Sequence, residues 1–141
     1  MSDQLWDVVV AANLGTLATI KRDGRPQLSV VNYTADAAGQ VLRTSTRADL
    51  AKTHNLRRDP RASMLVDGPG GAGYAVAEGT VELSPVSADE QDATVEELIE
   101  VYRLIGGKEH PDWPDYRRAM VADGRLVLRL HVDRLYGWVM G

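Results

Sequence analysis

Three β-forming runs near the start of the chain are joined by connections too short for anything but tight turns, and this restricts the fold more than any other feature. Residues 16–21 (TLATIK), 27–34 (QLSVVNYT) and 41–45 (VLRTS) are rich in β-branched residues and alternate in polarity. Between the first two stands Arg22-Asp23-Gly24-Arg25, whose Asp-Gly pair favours a tight hairpin turn because glycine accepts a positive φ. Ala38-Gly39 makes the second turn. A parallel crossover needs about a dozen residues or more, so the three strands are expected to form an antiparallel meander and a parallel βαβ fold fits poorly.

The remaining chain alternates helix and strand signals. Ser2 or Asp3 can cap a short helix through Asn13, which Gly15 stops. Residues 47–58 (RADLAKTHNLRR) read as a helix ended by Asp59-Pro60. A short apolar strand at 62–66 (ASMLV) is joined by the loop 68–73 (GPGGAG) to a strand at 74–83 (YAVAEGTVEL), with Gly79 as its bulge. Ser87-Ala88-Asp89-Glu90 has the form of a capping box. Val95, Leu98, Ile99, Tyr102 and Ile105 follow at helical spacing, so the longest helix is expected over 88–105, ended by Gly106-Gly107. The run 111–114 (PDWP) introduces a short helix through Ala122, and Asp123-Gly124 turns into a last strand, 126–132, reaching towards Val139. About six antiparallel strands with three or four helices predict an α+β fold, a small closed or nearly closed barrel in one domain spanning 1–141.

The inventory of reactive groups is short. With no cysteine, the chain has no disulfide framework, thiolate metal site or cysteine nucleophile. His54, His110 and His131 are too scattered for paired metal ligands, so no metal is expected. The serines occupy no nucleophile elbow, and the glycine loop lacks the Lys-Ser or Lys-Thr of a phosphate-binding loop. No apolar run approaches the roughly 20 residues of a membrane helix, and the first residues (MSDQLW) lack the regions of a signal peptide. A cytoplasmic location is the expectation. The net charge of −4 argues against nucleic acid as a partner.

That charge is unevenly spread. Between Arg43 and Arg61 six cations (Arg43, Arg47, Lys52, Arg57, Arg58, Arg61) meet two acids (Asp49, Asp59), so the segment is +4 and the rest −8. Thr44, Ser45 and Thr46 close the third strand just before the helix that carries Lys52 and Asn55. Hydroxyls, helix-start amides and a cation together suit a phosphate or carboxylate; a solvated helix capped by Ser45 or Thr46 accounts for the same residues. Gln27 and Ser29 share one face of the second strand, where they can meet the edge of a heteroaromatic ring or face water.

Three stretches are recognisable in order: 19–29 (TIKRDGRPQLS), 51–62 (AKTHNLRRDPRA) and 74–79 (YAVAEG). They resemble the pyridoxamine 5′-phosphate oxidase-like proteins, and more narrowly the actinobacterial F420-dependent reductases of the B class. The resemblance implies an antiparallel split β-barrel (the FMN-binding split barrel) with peripheral helices, forming a homodimer with cofactor sites at the interface. It implies a deazaflavin, coenzyme F420, as cofactor, with FMN as the alternative, and hydride delivery to an electron-poor small-molecule substrate. By similarity Pro26, Gln27, Leu28 and Ser29 border the ring, Thr44, Ser45 and Thr46 line its polyol and phosphate side, and Lys52 pairs with the phosphate. Asn55 supports that corner and Tyr74 approaches from the partner chain. A non-catalytic carrier of F420 or of a tetrapyrrole is the reading from another functional class.

Overall fold

The computed structural model describes residues 3–140, one of the two candidate caps, Ser2, lying outside them. Seven strands form one antiparallel sheet: β1 (Leu14–Ile20), β2 (Pro26–Asn32), β3 (Thr34–Asp36), β4 (Val41–Arg47), β5 (Arg61–Asp67), β6 (Tyr74–Leu83) and β7 (Arg125–Trp138). The helices are α1 (Asp3–Ala11), α2 (Ala51–Arg58), α3 (Ala93–Gly106) and α4 (Trp113–Ala122). The sheet order is β2-β1-β5-β6-β7-β4-β3.

The expected second strand is in fact two. It breaks at Tyr33, and its halves lie at opposite ends of the sheet, β2 beside β1 and β3 beside β4. Tyr33 is fully buried, and its hydroxyl donates to the carbonyl of Val9 on α1 at 2.5 Å. One continuous run of β-formers thus touches both sheet edges, which requires the sheet to curl into a split barrel. Thr44 Oγ1, donating to Asn32 O at 2.5 Å, fastens the end of β2 to β4 across the gap.

Leu17, Leu42, Met64, Leu128 and Leu130 fill the barrel interior beneath α1. A second core (Val95, Leu98, Ile99, Val101, Tyr116, Val127) lies between α3, α4 and the outside of β7. The partition follows strand parity: Leu126, Leu128, Leu130 and Val132 alternate with Arg125, Val127, Arg129 and His131, so each core takes one face of the strand. At Glu78/Gly79 the β6–β7 register shifts: Glu78 pairs with Arg134 and Gly79 with Val132, leaving Asp133 over as the extra residue of a bulge. Beyond it parity inverts, so Leu135 packs on the core while Tyr136 and Trp138 face outwards.

Two helix starts differ from expectation. α2 begins at Ala51, with Leu50 at its N-cap and no side-chain cap, because β4 continues through Arg47. α3 begins at Ala93 rather than 88, capped by Asp92. Asp92 accepts from Val95 N with one oxygen and from Ala88 N and Asp89 N with the other, satisfying both the helix and the turn before it. Ser87 instead donates to Met120 O on α4.

α3 is also held to the sheet by charge. Glu97 accepts hydrogen bonds from Arg129 on β7 and from Arg43 on β4, and Arg43 reaches Glu100 at 3.1 Å. The Arg129 hydrogen bonds, opposed by burial, hold the Glu97 carboxyl below the ordinary glutamate value. A carboxylate depressed in the folded state contributes stability that is complete above its unfolded pKa and is lost as pH falls through the folded one. Denaturant midpoints should therefore drop on acidification below the usual glutamate range, and Glu97→Gln should lessen that drop. An identical acid limb in the variant would remove Glu97 as a cause.

Candidate functional site

Among the described residues β2 is the terminal strand on its side of the sheet, and one row of its peptide groups has no strand partner there. α2 lies alongside. Lys52 Nζ donates to Ser29 Oγ at 3.4 Å, and Asn55 Nδ2 donates to Gln27 Oε1 at 3.4 Å and to Thr19 Oγ1 at 3.1 Å. The expected common face of Gln27 and Ser29 is present and turned towards α2. Pro26 and Leu28 point the other way, exposed on the outer wall.

Lys52 is half buried, and among the described residues no carboxylate lies within ion-pair distance of it. Burial, and after it the positive charge of Arg125, pulls its ammonium below the ordinary lysine value. Arg125 itself has a buried Nε with no hydrogen-bond partner among the described residues. Two cations without counter-charge beside an open strand edge leave a place whose electrostatics an anion would complete.

The other expected residues divide. Thr44 and Thr46 are buried, and their hydroxyl protons are engaged within the protein. Thr44 donates to Asn32 O, while Thr46 donates to Thr53 Oγ1 at 3.2 Å, since Thr53 gives its own proton to Arg47 O at 2.7 Å. These threonines hold β2, β4 and α2 together and present no O–H donor to a ligand. Ser45, of opposite parity, lines an apolar cavity of about 300 Å3 between α3 and α4, with Leu98, Tyr102 and Tyr116. It does not join Lys52. Asn55 is buried and holds Gln27. Tyr74 begins β6 on the outer wall, paired with Asp67 and Trp138, at the strand ends away from Gln27. Within one chain it does not reach the α2 corner.

The basic segment also divides. Arg43 is bound to Glu97 and Glu100, Arg47 to Asp49 and Arg61 to Asp59, which leaves Lys52, Arg57 and Arg58 on α2 without an ion-pair partner among the described residues. Arg22 and Lys21, the latter 3.9 Å from Asp23, join that side from the β1–β2 hairpin. Sequence distance hid their proximity, and Arg125 was hidden in the same way. His54 is exposed on α2, His131 hydrogen-bonds Glu82 at 2.9 Å, and His110 packs among Tyr102, Trp113 and Tyr116. No group of metal-binding side chains occurs among the described residues. No helix among them is long and apolar enough to cross a membrane.

Comparison with known proteins agrees with this architecture. A conserved hypothetical protein of Mycobacterium tuberculosis superposes with a TM-score of 0.75 at 26% identity, over 99% of this chain and 85% of that one. An F420 reductase matches with a TM-score of 0.70 at 25% identity, over 96% and 98% of the two chains. An FMN-binding protein of Nostoc punctiforme related to pyridoxamine 5′-phosphate oxidase shares the fold, with a TM-score of 0.66 at 20% identity, over 94% and 76%. The family model described as pyridoxamine 5′-phosphate oxidase matches residues 1–139. With seven antiparallel strands curled into a split barrel and a match along nearly its whole length, the chain belongs to the pyridoxamine 5′-phosphate oxidase family.

Proposed function

We propose that the chain is an oxidoreductase that uses reduced coenzyme F420 to reduce an electron-poor organic substrate. The observation that carries this reading is Lys52, a half-buried cation without a carboxylate partner among the described residues, hydrogen-bonded to Ser29 on the open edge of β2. Likeness to an F420 reductase over both chains supports the choice of cofactor. The residues present fit a flat ring with an anionic extension: an open strand edge for the ring, and Lys52 for the phosphate. When bound, the reduced deazaflavin supplies the hydride. The chain's own part is to bind the anion at Lys52 Nζ, to orient the ring along β2, and to keep water from one ring face with the apolar wall.

That wall is the outer face of β2, β1, β5, β6 and the end of β7 beyond its bulge, where Leu28 is 63%, Val30 68% and Trp138 56% exposed. An apolar sheet face of this kind suits a second copy of the chain, which would also bring its Tyr74 to the cofactor. Light scattering should give about twice 15.4 kDa, and Leu28→Asp combined with Val30→Asp should give the monomer mass. A double variant that keeps the doubled mass would place the contact elsewhere.

The cofactor assignment is tested by parallel titrations. F420 bears a phosphodiester and tail carboxylates, more negative charge than the phosphate of FMN, and the α2 side gathers Lys52, Arg57 and Arg58 with Lys21 and Arg22. F420 should bind more tightly than FMN, with a margin that narrows as salt rises, because exposed charges are screened over roughly 8–10 Å at physiological ionic strength. Equal affinities, or tighter FMN, would replace the deazaflavin with a flavin. Turnover with activated alkenes then separates an enzyme from a carrier of F420 or tetrapyrrole.

A further inference from the structure

Between α2 and the β1–β2 hairpin lies a cavity of about 560 Å3, with Gln27 and Asn55 at its floor and Lys21, Arg22, His54 and Arg58 around it. The polarity of that floor follows from one cation. Arg58 Nη2 donates to Ile20 O and, at 3.4 Å, to Asn55. A guanidinium has only donors, so the Asn55 atom facing it is the oxygen. Asn55 Nδ2 is therefore turned to Thr19 Oγ1 and to Gln27, and the Gln27 atom that receives it must be Oε1. The same oxygen accepts from Thr19 Oγ1 at 3.2 Å. Asn55 is 8% exposed, so water does not readily substitute for these partners.

The side-chain acceptors of the floor, Asn55 Oδ1 and Gln27 Oε1, are thus filled from within the protein. Gln27 Nε2, with no hydrogen bond to a described residue, remains as a donor whose direction is imposed by Arg58 through Asn55. None of the residues lining the cavity is a carboxylate. Lys52 is not among them, which separates this place from the corner at Ser29.

We infer that the cavity is a second oxyanion subsite, taking a carboxylate or phosphate group at Gln27 Nε2, and that Arg58 is its positioning residue. The inference stands apart from the cofactor assignment, because it concerns donors this chain presents to any anion. Two sources can supply the group: an anionic extension of the ligand held at Lys52, or a separate small anion.

The test follows the side-chain amide of Gln27 by 15N NMR while inorganic pyrophosphate is added to the intact protein. The Gln27 Nε2 signals should move with saturation, and should still do so in Lys52→Ala. Gln27→Glu, which keeps shape and exchanges the donor for an acceptor, should weaken pyrophosphate binding about tenfold or more. Arg58→Met should weaken it severalfold, with Arg58→Lys restoring affinity to within about twofold because an ammonium also only donates. Circular dichroism of each variant separates loss of the subsite from loss of the fold. Signals unmoved at saturating pyrophosphate, or Gln27→Glu binding as tightly as the unaltered protein, would overturn the inference. With F420 as second probe, displacement of pyrophosphate identifies the group as the ligand's extension, while simultaneous binding identifies a separate anion. Failure of F420 to bind would overturn the cofactor assignment and leave the pyrophosphate result standing.

Discussion

Replacing Lys52 by alanine is expected to weaken F420 binding by about 1.5–3 kcal/mol, the usual worth of a hydrogen bond to a charged group. The magnitude follows from the setting of the ammonium. It is half buried, it donates to the neutral Ser29 hydroxyl at 3.4 Å, and Arg125 repels it. An arriving phosphate meets a cation that has already lost part of its hydration and has no protein counter-charge to surrender. For the same reason the substitution should leave thermal stability unchanged or slightly raised, since removing an uncompensated half-buried charge relieves desolvation. Fluorescence titration of the deazaflavin measures the first effect and a melting curve the second. An unchanged dissociation constant would mean that the phosphate sits elsewhere, and a large loss of melting temperature would make Lys52 a structural residue.

Gly79→Ala should cost about 3 kcal/mol or more, at or beyond the upper end of ordinary overpacking. A Cβ built at Gly79 would stand 1.9 Å from the carbonyl oxygen of His131, 2.8 Å from its carbon and 3.1 Å from Val132 Cα. All three are backbone atoms of β7, which cannot rotate away as a side chain can. The contact lies where β6 and β7 shift register, so relief requires the bulge to open. Urea denaturation should show a lower midpoint, while exposed Thr80→Ala on the same strand should stay within about 0.5 kcal/mol. Equal midpoints for the two variants would show that the strands tolerate a wider approach.

Features encoded by neighbouring residues were legible in the sequence. Asp23-Gly24 forms the expected hairpin, with Gly24 at φ +87° and Lys21 N bonded to Arg25 O, because a turn depends on two residues and a glycine. The Gly79 bulge and the Asp-Gly entry into β7 are read in the same way. The break at Tyr33 was not legible, since no glycine or proline marks it and the partner of its hydroxyl, Val9, lies 24 residues away. The start of α3 was misplaced because Ser87 and Asp92 both suit an N-cap, and the choice depends on Met120 O, which draws Ser87 away. At the site, Lys52 stood out as charge. Thr44, Ser45 and Thr46 do not act as one unit, because strand alternation sends Ser45 to the opposite face. Lys21 and Arg22 were invisible as site residues because a turn and a strand separate them from α2.

The division of residues 26–36 between the two edges of the sheet also bears on the order in which the molecule assembles. The β1–β2 and β3–β4 pairings are local and can form from short loops. Joining them into one barrel requires β5, β6 and β7 to be in place between β1 and β4, including a β4–β7 ladder that pairs Val41 with His131. Closure of the barrel therefore comes late, after distant segments have met, and folding is paced by topology rather than by strand propensity. Contacts made at the seam, such as Tyr33 with Val9 and Thr44 with Asn32, belong to the final step, so they govern how slowly the native barrel opens more than how quickly it forms.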